Sequence, residues 1–247
     1  MKILVIGGTG LVGKGVCEKL KNTGNEIVVG APSSGINILT GEGLTNALDG
    51  TDVVIDLSNS QSPEAQTALD FFRTAANNLI KAVKAAGIRH HLVLSIVGTD
   101  RAQHIGYLRA KKHQEDAVIE SGIPYTIIRS TQFHEHIVTI IDVQGDGKNV
   151  QVSTVDYQPI ALEDVVDYIV RFCLEEPKNK IVEIAGPDRG TMSDFVEGYL
   201  REKRSNMVVK ANDNDKYMFE DIPRSLLVPS GEFFPGKIKF SDWRKSQ

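Results

Sequence analysis

A group of glycines follows the first apolar run of the chain and carries the most specific chemistry in the sequence. Its residues are Gly7-Gly8-Thr9-Gly10-Leu11-Val12-Gly13. Two glycine spacings fit this segment, Gly8-x-Gly10-x-x-Gly13 and Gly7-x-x-Gly10-x-x-Gly13, and the sequence does not choose between them. Either one supplies a glycine for a tight turn, one where phosphate approaches the backbone and one where a helix packs closely on a strand. The amides and positive dipole end of a helix starting near Leu11 then predict a pyrophosphate site.

The context of this glycine turn supports the prediction more than its spacing does. A chain with 22 glycines produces some glycine pattern by chance. Here the turn follows an apolar strand at residues 2–6, opens an amphipathic helix and precedes a second strand at the distance of a β-α-β unit. We therefore expect a dinucleotide to be bound by Gly7, Thr9, Gly10, Leu11, Val12 and Gly13.

The end of the second strand decides between NAD and NADP. An acidic residue there would bind the ribose hydroxyls, and a cation would accept a 2′-phosphate. Residues 30–34 have the sequence Gly-Ala-Pro-Ser-Ser, and no Lys or Arg occurs between Lys21 and Arg73. Ser33 and Ser34 offer hydroxyls and amides to the ribose. Because no carboxylate would repel a phosphate, the site slightly favours NADP, and NAD stays possible.

A second pattern, Tyr107-x-x-x-Lys111, places a phenol and an ammonium one turn apart on a helix face, where the cation could favour phenolate. Ser95 ends a predicted central strand, where ligands bind in open α/β sheets. These three are the candidate catalytic residues. The tyrosine could exchange a proton with a carbonyl while the nicotinamide transfers hydride, and the serine could hydrogen-bond the same oxygen. Leu57 and Ser58, after the third strand, are expected to pass over the cofactor.

The spacing of Tyr107 and Lys111 is not specific by itself, because Tyr199-x-x-x-Lys203 has the same spacing. The second match lies late in the chain, where the strand-helix alternation is less regular, and we interpret it as a solvated helix face. The position of Tyr107 after the Ser95 strand is what favours the first match.

Histidines after the fifth strand raise the question of a metal. His134 and His136 flank Glu135, but side chains two residues apart on a helix diverge, so no metal site is predicted. These histidines are expected to line a pocket or face solvent. Gln132 and Phe133 are expected in the wall beside the nicotinamide, since ligand sites collect at the carboxyl ends of strands.

The elements that would position these residues alternate between strand and helix, which predicts a parallel sheet. We expect a Rossmann-type doubly wound α/β fold, a single domain over residues 1–247, in which 133–160 and 187–247 form a small substrate-side lobe. A stunted strand is expected near residues 36–39, and a hairpin or loop at Asp146-Gly147. Predicted strands are 2–6, 26–30, 52–56, 91–95, 125–129 and 181–185. Predicted helices are 11–22, 43–48, 64–86, 108–121, 162–175 and 193–204.

Composition excludes several classes of partner. The formal net charge of −4 provides no basic field for nucleic acid or an anionic membrane. Cys17 and Cys173 lie among apolar residues, which indicates reduced core thiols and not a disulfide framework. The first apolar run is too short for a signal sequence or a membrane span, so a cytoplasmic protein with a small-molecule substrate is expected. The sequence does not indicate an oligomeric state.

At these residues the chain resembles the atypical short-chain dehydrogenase/reductases, in particular the NmrA-like and NAD(P)H-dependent quinone-reductase-like branch. The resemblance covers the glycine turn, Ser95-Ile96-Val97-Gly98, Tyr107-Leu108-Arg109-Ala110-Lys111, residues 121–129, Thr131-Gln132-Phe133, Pro159-Ile160-Ala161, Glu163-Asp164-Val165 and Gly186-Pro187.

The resemblance implies a one-domain Rossmann fold with a small carboxyl-terminal substrate region, NADP or NAD on the glycine turn, and Lys111 near the nicotinamide ribose. The branch includes active reductases and members that only bind the cofactor, as redox sensors. This chain departs from the family pattern because it lacks the basic residue after the second strand and shortens residues 31–50. The leading hypothesis is an NAD(P)H-dependent reductase of a small carbonyl or quinone, and the alternative is a non-catalytic redox-sensing regulatory protein. A sugar-nucleotide epimerase is a weaker third option, since the chain is short for its substrate domain.

Overall fold

The computed structural model describes residues 1–218 and 220–247. Its strands are Lys2–Ile6 (β1), Glu26–Gly30 (β2), Val53–Asp56 (β3), His90–Ile96 (β4), Tyr125–Ser130 (β5), Asn149–Ser153 (β6), Asp156–Tyr157 (β7), Lys180–Ala185 (β8), Gly190–Thr191 (β9), Val208–Asn212 (β10), Lys216–Tyr217 (β11), Glu220–Asp221 (β12) and Phe234–Pro235 (β13). Its α-helices are Leu11–Lys21 (α1), Leu44–Leu48 (α2), Ala65–Ala86 (α3), Gly106–Glu120 (α4), His136–Gln144 (α5), Leu162–Leu174 (α6), Met192–Glu202 (α7) and Phe240–Lys245 (α8). A short 3₁₀ helix spans Pro32–Ser34.

The main sheet has seven strands among the described residues, in the order β13-β8-β5-β4-β3-β1-β2. β1 pairs in parallel with β2 on one side and with β3 on the other, so the chain reverses its direction of progress across the sheet at β1. β3 continues in parallel to β4. Ligands of doubly wound sheets bind outside the carboxyl ends of the strands at this switch point. The predicted Rossmann-type α/β fold is confirmed.

Each predicted strand of the sheet is present, and each predicted helix begins and ends within about two residues of its prediction. The stunted strand expected near residues 36–39 is wrong, because this segment forms turns. Gly35, Gly41 and Gly43 all adopt positive φ there, which bends the chain away from extended geometry. The sequence analysis also missed α5 and the short strands of the later part of the chain.

The chain divides into two compact units. The first unit comprises residues 1–95, 103–129 and 166–182, and the second comprises 96–102, 130–165 and 183–247. In the first unit β1 and β3 are almost fully buried, as expected for parallel strands covered on both faces. α3 begins with the Glu64 carboxylate accepting the amides of Gln66 and Thr67, and it packs against α4.

The second unit contains a separate parallel pair, β6 with β10, and an aromatic cluster. In that cluster the His134 ring lies 5.2 Å from Phe240 and 5.4 Å from Trp243, and Phe195 packs 5.0 Å from Phe240. Asp146 turns the chain into β6 by accepting the amides of Lys148 and Asn149. The predicted loop at residues 146–147 is thus present, with Gly147 at positive φ. The substrate-side role expected for 133–160 and 187–247 stays a prediction.

Over the described residues 1–218 and 220–247, no helix combines the length and the apolarity needed to cross a bilayer.

Candidate active site

The glycine turn between β1 and α1 is closed so tightly that side chains are excluded. Gly7 adopts a φ of +75°, and its amide donates to the Gly30 carbonyl at 2.8 Å. A Cβ on Gly7 would lie 2.8 Å from the Leu57 carbonyl oxygen, and one on Gly13 would lie 2.2 Å from the Gly7 oxygen. Gly7 therefore makes the tight turn and Gly13 permits the close approach of helix to strand. Gly8 is constrained as well, with the Val5 oxygen 2.9 Å from its would-be Cβ.

The start of α1 leaves backbone donors without acceptors. Gly10 is the N-cap and has no side chain to bond them, and its would-be Cβ contacts only the Gly7 oxygen, at 3.2 Å. In the described chain, four amides of this segment lack a hydrogen-bond partner: those of Thr9, Leu11, Val12 and Gly13. Such amides, together with the helix dipole, form an anion site. The residues present therefore fit a dinucleotide diphosphate.

The turn after β2 uses one of the two predicted ribose-binding serines for its own structure. The Ser34 hydroxyl donates to the Val29 carbonyl at 2.6 Å and accepts the Ala31 amide at 3.0 Å. Ser33 is exposed. The hydroxyl of Ser33 is therefore more available to a ribose than that of Ser34, and the preference for NADP stays a prediction.

The loop after β3 borders the glycine turn. The Leu57 amide donates to the Ile6 carbonyl at 3.0 Å, and the Leu57 oxygen faces the space that a Gly7 side chain would need. The Ser58 amide donates to Asp56 Oδ1 at 2.9 Å. The Ser58 hydroxyl is buried and has no partner among the residues described. An unpartnered buried hydroxyl is costly, so it marks a position where a ligand or water can complete the bonding.

Tyr107 lies in the first turn of α4, where the helix approaches α3. The Tyr107 hydroxyl donates to Asn59 Oδ1, and its ring packs edge-on 6.1 Å from Phe72. Burial raises the pKa of Tyr107 above its usual value, although the hydrogen bond to Asn59 opposes that shift. The expectation that Lys111 promotes the phenolate is not met. The Lys111 ammonium donates to the Leu94 carbonyl and to Gln114, and not to the phenol.

Lys111 is buried, with an exposed fraction of 3%. Its Nζ donates to the Leu94 carbonyl at 2.8 Å and to Gln114 Oε1 at 2.7 Å, and the Phe72 ring centroid lies 4.8 Å away. Desolvation lowers the pKa of Lys111 to about 8, while the nearby carboxylates of Asp56 and Glu115 oppose that change. Two fixed acceptors therefore hold the ammonium group in place, and burial makes its charged form less favourable than it is in water.

Ser95 follows Leu94 directly at the carboxyl end of β4. It is 2% exposed, and its hydroxyl has no partner within the described residues. Because Lys111 bonds the neighbouring Leu94 carbonyl, Lys111 and Ser95 come together at the end of the same strand. Tyr107 is attached through Asn59 to the loop after β3. Their catalytic roles stay predictions.

The second Tyr-x-x-x-Lys pattern lies on α7. Lys203 Nζ lies 5.6 Å from the Tyr199 ring centroid and donates to the carbonyl of Gln247, and the lysine is exposed. Lys203 is not held by a buried partner of the kind that fixes Lys111, but the half-buried Tyr199 ring stacks 6.1 Å from the buried Trp243. The interpretation as a solvated helix face is therefore correct for Lys203 and wrong for Tyr199.

The two histidines that flank Glu135 lie in the second unit. Of the residues described, no group of three or more His, Cys, Asp or Glu could hold a metal ion. His134 Nε2 donates to the Pro159 carbonyl, 3.0 Å away, and burial lowers the pKa of His134 to about 4. It is a buried core residue, so the expectation of a pocket-lining or solvent-facing side chain is wrong for His134. Phe133 forms a bridge to Ile160, and the role of Gln132 and Phe133 beside the nicotinamide stays a prediction.

Two site residues escaped the sequence analysis. Asp56 and Gln114 are joined at 2.8 Å but lie 58 positions apart in the chain, so no local spacing reveals them. Cys17 packs under the glycine turn, with Sγ 3.9 Å from the Gly8 oxygen, and burial raises the pKa of its thiol. Both cysteines are buried and free, as predicted.

Comparison with solved structures agrees with this fold. The NADPH-dependent quinone oxidoreductase QOR2 of Escherichia coli, solved with NADPH, superposes with a TM-score of 0.70 at 21% identity. The match covers 86% of this chain and 79% of that one.

Two curated relatives are similar in sequence. The Photosystem II assembly factor Ycf39 of Synechocystis is 26% identical over 183 residues, which are 65% of this chain and 56% of that protein. The (4-alkanoyl-5-oxo-2,5-dihydrofuran-3-yl)methyl phosphate reductase of Streptomyces griseus is 31% identical over 144 residues, 53% of this chain and 48% of the relative. The chain thus spans about half the length of these relatives.

The profile of one protein family, described as NAD(P)H-binding, matches residues 7–177. The match begins at the glycine turn and includes the candidate catalytic residues of β4 and α4. It confirms the resemblance inferred from the sequence and the expected cofactor class. The chain belongs to the NAD(P)H-binding family.

Proposed function

We propose that the protein is an NAD(P)H-dependent reductase whose substrate is a small quinone or another carbonyl compound. The observation that carries this proposal is the pairing of Lys111 with the carboxyl end of β4, beside the unpartnered hydroxyl of Ser95. In a chain whose glycine turn offers four amides to a diphosphate, this is where a nicotinamide is expected to lie. When bound, the cofactor supplies the hydride.

The state of Tyr107 favours a quinone over a simple carbonyl. A simple carbonyl becomes a strongly basic alkoxide when it accepts hydride, so its reduction needs a proton donor in the site. A quinone gives a weakly basic hydroquinone anion, which takes its proton from water. The Tyr107 phenol is made a weaker acid by burial, and its hydrogen is donated to Asn59. A substrate that needs no proton from Tyr107 therefore suits the site better.

The comparisons support a reductase in general terms. One relative is a reductase by name, and one protein of similar fold is a quinone oxidoreductase. Because the chain spans about half of its curated relatives, their substrates are not transferred. The quinone preference rests only on Tyr107, on its hydrogen bond to Asn59 and on the burial that raises its pKa.

Replacing Tyr107 by Phe tests the proposal. We expect reduction of a small quinone to stay within about threefold of wild type, and reduction of an aldehyde or ketone to fall at least about a hundredfold, as loss of a general acid does. Steady-state NAD(P)H oxidation measures both. Tyr199→Phe is the matched control, because it removes the same hydroxyl from the other Tyr-x-x-x-Lys pattern. If the wild type binds the cofactor but reduces no tested acceptor, the enzyme hypothesis is wrong.

A regulatory role is the second candidate. The lysine and tyrosine of the site are already engaged by protein partners, and one relative is named for assembly and not for a reaction. A sensor must bind the oxidised and reduced cofactors with different affinities, because only a difference shifts a conformational equilibrium. Calorimetric titration with each form measures this difference. Equal affinities would exclude the sensor.

A further inference from the structure

A chain of buried side chains runs under α4 in the first unit. Asp56 Oδ2 accepts a hydrogen bond from Gln114 Nε2 at 2.8 Å, and Gln114 Oε1 accepts one from Lys111 Nζ at 2.7 Å. All three side chains are buried, with exposed fractions between 1% and 3%. Gln114 lies three residues after Lys111, so the two share the face of α4 that covers the sheet.

The chemistry of the two neighbours fixes the orientation of the Gln114 amide. An ammonium group can only donate and a carboxylate can only accept, so the carbonyl oxygen must face Lys111 and the NH₂ must face Asp56. A glutamate here would place a second carboxylate against Asp56, and an apolar residue would leave each neighbour with one hydrogen bond fewer. An amide of this length is the side chain that can join them in one direction.

Asp56 also anchors the loop that passes the glycine turn. Its second oxygen, Oδ1, accepts the Ser58 amide at 2.9 Å. One carboxylate therefore sets the position of the loop backbone directly and that of the Lys111 ammonium through Gln114. Three hydrogen bonds, from Ser58 to Asp56, from Gln114 to Asp56 and from Lys111 to Gln114, thus connect the loop backbone to the lysine.

The ammonium group keeps one donor for another partner. Two of its three hydrogens go to Leu94 and Gln114, and within the described chain no third acceptor is bonded, although the face of the Phe72 ring lies nearby. Leu94 precedes Ser95 at the strand end where the cofactor ribose is expected. A ribose hydroxyl is an acceptor of suitable chemistry for the third hydrogen.

We propose that Gln114, anchored by Asp56, is a positioning residue that holds the Lys111 ammonium so that its third hydrogen is directed to the ribose of the bound dinucleotide. The cofactor part of this inference rests on the proposed function. The positioning part concerns only the residues of this chain and can be measured without any ligand.

The ionisable groups near Lys111 influence its pKa and must be taken into account in a titration. Asp56 faces it from β3, and Glu115 from α4 itself, where Arg129 of β5 binds the Glu115 carboxylate. His91 of β4 is buried, and burial lowers its pKa, while the nearby Asp56 carboxylate opposes that change. The pKa of Lys111 is therefore governed by its desolvation, by the two carboxylates and by its two fixed acceptors.

The first experiment titrates Lys111 by NMR in protein carrying ¹³C at the lysine ε carbons, with the resonance assigned from Lys111→Met. The wild-type pKa is expected near 8. Gln114→Met removes the acceptor that stabilises the charged form, so the pKa of Lys111 should fall by about one unit. Asp56→Asn, which keeps the shape of Asp56, should lower it in the same direction by a smaller amount. The isosteric variant keeps the test valid if Gln114→Met does not fold.

Gln66→Met is the matched control. Gln66 also donates its amide to a carboxylate one turn away, that of Asp70, but on the exposed surface of α3. This variant should leave the titration of Lys111 unchanged. A pKa that moves by less than about 0.3 unit in both Gln114→Met and Asp56→Asn overturns the positioning role.

The second experiment measures the affinity for NADPH and NADH by calorimetry at pH values on both sides of the Lys111 pKa. Wild-type affinity should fall as the ammonium loses its proton, and in Gln114→Met this fall should begin at lower pH, with an affinity about tenfold weaker than wild type near pH 8. If wild type binds neither dinucleotide, the proposed function fails, and the ribose contact fails with it. If both proteins bind with the same pH dependence, the ribose contact alone is overturned.

Discussion

At the start of α1, four backbone amides find no acceptor in the described chain, whereas on the buried face of α4 the ionised side chains are bonded to protein groups. The amides belong to an exposed turn, where Leu11 is 63% exposed. Lys111 and Glu115 are almost fully buried, with exposed fractions of 3% and 0%, and both have partners at hydrogen-bond distance. The two regions belong to the same unit and the same expected site.

The difference follows from burial. An exposed backbone amide can bond to water when no ligand is present, so it costs the fold little. A buried charge without a partner costs several kcal/mol. The exposed turn can therefore be specialised for a ligand at little cost to the fold. The face of α4 must first satisfy its own charges, and only the remainder of its bonding capacity is available to a ligand.

The largest expected effect comes from breaking the buried pair on α4. Arg129 donates to both oxygens of Glu115, at 2.9 and 2.7 Å, with exposed fractions of 5% and 0%. Glu115→Leu leaves the guanidinium without its carboxylate, so the free energy of unfolding should fall by about 3 to 5 kcal/mol. Urea denaturation measures this change.

The double variant Glu115→Leu with Arg129→Met removes both charges of the pair. We expect it to recover most of the lost stability, because neither charge then remains buried without its partner. A loss below about 1 kcal/mol in the single variant would show that this face does not depend on pairing.

Gly10→Asp tests the opposite property of the glycine turn, whose backbone amides are free to bind a ligand. Gly10 has extended geometry and caps α1 without a side chain, so an aspartate can occupy the position and accept the free amides. Its negative charge should repel the diphosphate and weaken dinucleotide binding at least about a hundredfold. The free energy of unfolding should change by no more than about 0.5 kcal/mol, since the new cap offsets the close contact with Gly7.

Gly10→Ser is the control for that variant, because it places similar demands on the backbone and carries no charge. Binding by calorimetry and unfolding by heat should be compared for both. Equal affinities in the serine and aspartate variants would mean that the turn does not bind an anion.

The smallest expected effect on function belongs to Ser95→Ala. The Ser95 hydroxyl has no partner in the described chain, so its loss should change the free energy of unfolding by less than about 1 kcal/mol, while turnover falls about tenfold or more if it supports the substrate oxygen. Ser121→Ala is the matched control. That buried hydroxyl donates to Val118 and accepts from Ile123, so its loss should cost about 1 to 2 kcal/mol and leave turnover unchanged. Unchanged turnover in Ser95→Ala would remove Ser95 from the site.

The fold could be predicted where a local pattern has one physical meaning. Uninterrupted apolar runs such as β3 suit a strand covered on both faces, and the glycines of the first turn have few alternatives. Residues 36–39 also carry apolar side chains, but the glycines that flank them adopt positive φ and turn the chain, so a strand was wrongly expected there. The composition of this segment did not show whether its apolar residues would form a strand or its flanking glycines would form turns.

The candidate site could be predicted only in part, because its decisive contacts join distant positions. The spacing of Tyr107 and Lys111 correctly places both on α4, but it does not tell where the lysine donates. The Leu94 carbonyl and Gln114 take the ammonium, and Asn59 takes the phenol hydrogen. Gln114 lies on α4 itself, but Leu94 comes from β4 and Asn59 from the loop after β3. The spacing on the helix therefore could not show whether the lysine would promote the phenolate.

Cys17 gives the glycine turn a built-in reporter. Its thiol is sealed under Gly8, and burial raises its pKa, so a thiol reagent can react only with molecules in which this corner has transiently come apart. The labelling rate of Cys17 therefore measures how often the glycine turn opens by local unfolding. A nucleotide that binds only the closed turn must lower the labelling rate of Cys17 in proportion to the fraction of protein that it occupies. A reagent attached to Cys17 must in turn prevent the nucleotide from binding.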